Sequence, residues 1–165
     1  MKHSFRNVAI AAACLLTVGG VVYAQTASSP SDWAKGSTED QLKALAGIQP
    51  GLGTVMMEYS ARYTNAYYAA KGGNWELAAY MLKEQLEIQE VGETTRPART
   101  DALKAFETSY LEPLDAAIKA KNFETFETAF NKGVKGCNGC HSAAGFPFIE
   151  YSLPATPPAP LKFTP

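Results

Sequence analysis

Histidine and cysteine are scarce in this chain, and any excess of positive charge is missing. Two of its 165 residues are histidine, His3 and His141, and three are cysteine, Cys14, Cys137 and Cys140. Lys and Arg number 15 against 16 Asp and Glu, with no basic block among them, so a phosphate backbone finds no cationic surface and nucleic acid drops out as a partner. No run beyond the N-terminus is apolar for long enough to span a bilayer. Strand signals are also few: Phe146 to Tyr151 is the only short run that fits one. With 46% hydrophobic and 19% charged residues, however, the composition excludes a disordered chain.

The N-terminus has the make-up of an export signal. Lys2 and Arg6 precede the apolar stretch Val8 to Leu16, extended by Val18 and Val21, and Val22-Tyr23-Ala24 offers small or modest side chains before Gln25. Residues 1–24 are therefore expected to leave, giving a single domain over 25–165 in the periplasm. The competing reading, an N-terminal anchor, needs a longer apolar stretch. Cys14 as a lipid-bearing residue would want a branched aliphatic side chain three positions upstream, where Ala11 stands. Losing Lys2 and Arg6 takes the bases from 15 to 13 against 16 acids, a mildly acidic protein. His141 is then its sole imidazole, and Cys137 and Cys140 its only thiols.

Helical periodicity dominates the rest. Gln25 to Gly36 reads as a loose lead-in, and Ser37-Thr38-Glu39-Asp40 as the start of a short helix carrying Leu42, Leu45 and Ile48. After Pro50, the positions Leu52, Met56, Tyr59, Tyr63, Tyr67 and Ala70 form one stripe. Gly72-Gly73 breaks that helix and Asn74 caps the next, with Ala78, Met81, Leu82 and Ile88 inward. A third helix from about Thr100 carries Leu103, Phe106, Tyr110, Leu114, Ala117 and Ile118, with Pro113 set to interrupt it. Asn122 caps a fourth with Phe123, Phe126, Phe130, Val134, Cys137 and His141 inward. Four amphipathic helices with short connections predict an all-α fold, an antiparallel four-helix bundle over about 50–141. The proline-rich tail, 142–165, is expected to lie extended over the surface. No internal repeat is evident.

Cys137-Asn138-Gly139-Cys140-His141 is C-x-x-C-H, the covalent haem attachment signature. Two thiols one helical turn apart reach the two vinyl groups on one porphyrin edge, and the next residue aims its imidazole at the iron. Gly139 leaves the backbone room against the ring. At this chain's own Cys and His frequencies the pattern arises by chance roughly once in a thousand such sequences. A redox dithiol wants a βαβ context, and structural zinc wants about four ligands, which two cysteines and one histidine do not supply. One haem c, held by Cys137 and Cys140 with His141 on the iron, is the expectation.

With no second histidine after export, the opposite side of the iron falls to Met56, Met57, Met81 or an open position. Met56 lies at the centre of the stripe, and Met57 points about 100° away; a thioether there would stabilise ferrous iron. Tyr59, Tyr63, Tyr67, Trp75, Phe126 and Phe130 can line the ring or fill the core; Tyr63, Tyr67 and Phe130 are the candidates taken as haem contacts. Arg62, Arg96 and Arg99 are candidate propionate partners, set against ordinary solvated charges.

On these residues the chain resembles class II c-type cytochromes, the group that includes cytochrome c′. That resemblance covers the helical pattern over roughly 50–141 together with Cys137, Cys140 and His141. It implies C-x-x-C-H on the last helix of a four-helix bundle and an iron face covered from the first bundle helix, by methionine in low-spin members, which Met56 matches. High-spin members leave that face open behind an apolar residue. Gly72-Gly73-Asn74-Trp75-Glu76-Leu77-Ala78 and Ala143-Ala144-Gly145-Phe146 also resemble a branch of small exported cytochromes. The implied role is single-electron transfer between redox partner proteins. The alternative is a five-coordinate protein binding nitric oxide or carbon monoxide. A homodimer through the first two bundle helices is a further expectation from the resemblance. Peroxidase chemistry is disfavoured because no distal histidine can serve as acid–base catalyst.

Overall fold

Each helix boundary can be traced to a short polar side chain, a glycine or a proline. The computed structural model describes residues 34–157 and 159–165; the expected export signal and Cys14 lie outside the described residues. Ser37 and Asp40 form a reciprocal capping box: the Asp40 N–H donates to the Ser37 hydroxyl oxygen (3.3 Å) and the Ser37 N–H to the Asp40 carboxylate (3.0 Å). The Ser37 hydroxyl also donates to the Asp40 carboxylate (2.7 Å); that bond first, and the Ser37 N–H second, hold the carboxyl below its usual range at the start of α1, Thr38–Gly47. The chain divides into two units, one ending at Ala46 and the other Gly47–Pro165.

The second unit holds α2 (Leu52–Lys71), α3 (Trp75–Thr95), a 3₁₀ turn (Pro97–Arg99), α4 (Thr100–Phe106), α5 (Glu112–Lys119) and α6 (Phe123–Ala143). Among the described residues there is no strand; the Phe146–Tyr151 run is a turn closed by the Ile149 N–H on the Phe146 carbonyl (3.0 Å). No described helix is long and apolar enough to cross a membrane.

α2 and α3 form a hairpin. The Gly73 backbone has φ +80°, and the Asn74 N–H bonds the Ala69 carbonyl (2.8 Å). The Asn74 side chain then accepts from the Leu77 N–H (3.1 Å), ending one helix and starting the next. At the other end of the hairpin, Gly92 of α3 lies against Leu52 and Val55 of α2. The α5–α6 junction repeats the device: Lys121 takes φ +52°, Asn122 N–H bonds the Ala117 carbonyl (3.2 Å), and its side chain accepts from the Thr125 N–H (2.9 Å). The residues after the two caps, Trp75 and Phe123, both pack on Phe126. Trp75 is thus a plug where the helices join.

Pro113 acts as expected, in a particular way. It has no N–H for the carbonyl four residues back, and the helix widens just ahead of it into a π turn over Glu107–Leu111, with the Glu112 N–H reaching the Glu107 carbonyl. Tyr110, inside that turn, rests on Gly136 of α6.

One apolar core runs through α2, α3, α5 and α6, with Tyr63, Leu82, Leu111, Leu114, Phe126 and Phe130 at its centre. Two features depart from the sequence pattern. α3 turns Gln85 and Gln89 inward, both fully buried, where a purely apolar stripe was expected. α2 is buried on almost every side over 63–70, because the tail covers its outer face. Tyr68 donates to the Pro154 carbonyl (2.6 Å), Thr64 and Tyr151 share a hydroxyl bond (2.8 Å), and the Asn74 amide donates to the Lys162 carbonyl (3.2 Å).

Candidate functional site

The C-x-x-C-H residues occupy the last two turns of α6. Cys137 and Cys140 stand as free thiols one turn apart, both part-buried. Burial pushes the Cys137 thiol up to about 12. A reactive dithiol requires the opposite, a lowered value that keeps the thiolate populated, so the surroundings of Cys137 do not suit thiol–disulfide exchange. Gly139 has no neighbour within 4 Å of where a Cβ would sit, so the helix is open along this face. Gly133 and Gly136 are closely met: an added Cβ would lie 2.2 Å from the Tyr63 hydroxyl and 2.6 Å from the Tyr110 ring.

Beyond His141 the helix closes in a Schellman turn. Gly145 takes φ +88°, its N–H bonds the Ser142 carbonyl (3.1 Å), and the Phe146 N–H bonds the His141 carbonyl (2.8 Å). The chain then folds back on the motif. Asn138 pairs twice with the backbone of Tyr151, accepting from its N–H (2.8 Å) and donating to its carbonyl (3.1 Å). His141 Nδ1 lies 2.9 Å from the Ile149 carbonyl. Because a carbonyl can only accept, Nδ1 carries the proton, and in the neutral ring the lone pair sits on Nε2.

The aromatic contacts fix the register of α6 against α2, and the two run in opposite directions. Tyr67 meets Phe123, Phe126 and Phe130; one turn earlier in α2, Tyr63 stacks on Phe130 (4.3 Å) and donates to its carbonyl (2.9 Å). Tyr63 and Tyr59 both lie within electrostatic reach of the Cys137 sulfur. Carried along this register, the seven residues from Tyr63 back to Met56 match the seven from Phe130 on to Cys137, so Met56 is level with the start of the motif. Of the three candidate methionines, Met56 is therefore the one level with the motif, at Cys137, and it is part-buried. Met57 is 73% exposed on another face. Met81 is buried near the middle of α3, its sulfur 3.9 Å from Arg62 Nη1. The position fully buried in this turn of α2 is Val55, one residue from the expected centre of the stripe.

The aromatic candidates separate by level. Tyr67 turns its hydroxyl to Glu127 (2.8 Å) and, with Phe130, belongs to the core two turns and more before Cys137. Tyr63 and Tyr59 are nearer the thiols. The Tyr59 hydroxyl and the Gln85 amide are buried side by side, and neither has a hydrogen-bond partner elsewhere. Burial first, and then the nearby Cys137 sulfur, drive the Tyr59 phenol well above the usual range. The arginines separate too. Arg62 is engaged by Glu58 (3.0 Å) on the α2–α3 surface. Arg96 and Arg99 line a groove of about 360 Å³ with Leu52, Pro97 and Phe146. That groove joins the first turn of α2 to the residue that closes the motif helix.

The donor set fits a covalently held haem. Two thiols and an imidazole with Nε2 free share one open helix end, arginines line the adjoining groove, and a buried polar pair, Tyr59 and Gln85, lies near Cys137. Gln85, Ile149 and Tyr151 were missed in the sequence as members of this region, and Asn138 and Phe146, though read there in and after the motif, were given no role. Asn138 is the one with a visible signal, a long-range hydrogen-bonding side chain inside the motif itself. No family model, curated protein or solved structure matches the chain.

Proposed function

We propose that this chain is an exported mono-haem c-type cytochrome of the class II kind, a four-helix haem bundle that carries single electrons between periplasmic redox partners. The observation that carries the reading is the register of α6 on α2, which brings the start of the C-x-x-C-H segment level with Met56, while Phe146, which closes its helix, lines the Arg96–Arg99 groove. Cys137 and Cys140 would hold the porphyrin through thioethers, with His141 Nε2 and the Met56 sulfur as axial donors. Haem supplies a one-electron iron couple, and histidine–methionine ligation favours its ferrous form. Arg96 and Arg99 offer cationic partners for carboxylates at the ring edge, and the apolar core behind Cys137 excludes water.

The deciding experiment is mass spectrometry and optical spectroscopy of natively matured protein. The expected result is one haem added through two thioethers, with a thioether–iron charge-transfer band in the oxidised state. That band is lost in Met56→Ala while the haem stays attached. A bare polypeptide defeats the proposal.

One observation favours a second reading, a gas-binding protein with an open iron face. Val55, not Met56, is the fully buried residue at this level of α2, as an apolar cover would be. Rapid carbon monoxide binding by the unmutated ferrous protein, with no thioether band, would select it.

A further inference from the structure

Resting on the haem reading above, we propose that Phe146–Tyr151 is a clasp that positions His141, with Asn138 as its anchor. Three bonds make the device. Asn138 holds the Tyr151 backbone from both sides, at 2.8 and 3.1 Å, as a neighbouring strand would. This brings the Ile149 carbonyl, two residues earlier, to 2.9 Å from Nδ1. The far side of Tyr151 is fixed in turn by its hydroxyl on Thr64 and its ring on Tyr63 (5.7 Å). The Schellman turn at Gly145 sets the direction of return.

His141 and the clasp are only part-buried or exposed, so packing alone does not orient the imidazole. The carbonyl does: it selects the tautomer with Nε2 free, fixes the ring's rotation about its own axis, and raises the basicity of Nε2 by drawing on the Nδ1 proton. Asn138 touches neither the ring nor any ligand and acts through the chain it holds. It is a positioning residue, placed inside the motif at a position the attachment chemistry leaves free.

The experiment compares natively matured full-length protein with Asn138→Ala. Two readouts belong to the clasp: solvent exchange of the His141 Nδ1 proton by NMR, and the midpoint potential. Exchange is expected to speed up roughly five- to tenfold, as loss of one ordinary hydrogen bond allows. The potential is expected to move in the positive direction, because a less basic imidazole stabilises ferric iron less. A purely structural role would lower the melting temperature and leave both at wild-type values, and that result overturns the proposal. If Asn138→Ala does not fold, Asn138→Asp keeps the bond from the Tyr151 N–H and loses the one to its carbonyl. Faster exchange of the Nδ1 proton is then expected, and its absence is equally decisive; the potential is not read in this variant, because the new carboxylate itself stabilises ferric iron. Should the wild-type mass show no haem, the functional reading fails but the clasp is still tested. In that bare chain the imidazole nitrogens must report the Nδ1–H tautomer, protected in wild type and mixed in Asn138→Ala.

Discussion

Three glycines spaced by three residues precede or enter the motif, and they differ in what surrounds them. Gly133 and Gly136 admit the Tyr63 hydroxyl and the Tyr110 ring, whereas Gly139 faces open space. Gly133→Ala and Gly136→Ala are expected to destabilise the protein by about 1–3 kcal/mol through overpacking, more than the ~1 kcal/mol that alanine returns in helix propensity. Gly139→Ala, with no clash, should cost nothing in a denaturant melt of the haem-free chain; equal losses at all three positions would refute this account. At this scale the sequence was most informative where identity alone carries the chemistry. Cys137, Cys140 and His141 are legible because no other residue types do their work. Met56 was less so, since periodicity locates a helix face only to within a residue, and the line of full burial passes through Val55. Gln85 and Gln89 escaped because a polar residue on an inward stripe is visible as buried only once its neighbours are known.

Both helix junctions use a left-handed residue followed by an asparagine cap and an aromatic, yet only one places glycine in the left-handed position. Lys121, at φ +52°, is the described non-glycine residue that adopts it. Lys121→Gly should therefore stabilise the fold by about 1 kcal/mol, read as a higher denaturation midpoint. Asn74→Ala should cost about 1 kcal/mol as a lost cap, and because the same amide donates to the Lys162 carbonyl, limited proteolysis should release the end of the tail sooner. An unchanged cleavage rate would mean that bond contributes nothing to holding the tail. The asparagines, glycines and prolines made these boundaries readable in advance, the interruption at Pro113 included. Its form as a π turn was not, because whether a helix kinks or widens depends on what its neighbour, here Gly136 with Tyr110 upon it, can accommodate.

The whole molecule is expected to fail in alkali sooner than in mild acid. Burial pushes Tyr67 and Tyr151 up to about 12 and Tyr59 and Tyr63 further still. Above about pH 10 the unfolded chain gives up phenolic protons that the fold retains. All four contribute fully below about pH 10; the part from Tyr67 and Tyr151 drains away as pH rises to about 12, and the part from Tyr59 and Tyr63 at higher pH still. Melting temperature should be flat up to about pH 10 and fall beyond it, with phenolate absorbance appearing together with unfolding; phenols that all titrate near their free values in an intact fold would contradict this. The tail was foreseen as extended, but not that it would seal α2, because its contacts use backbone carbonyls that no side-chain pattern announces. Those attachments are arranged in series, from Lys162 beside Asn74, through Pro154 on Tyr68, to Tyr151 and Ile149 at the motif. A pull on the C-terminus would therefore peel the strap like a zip, far fastener first, and the imidazole would be the last group to feel the load.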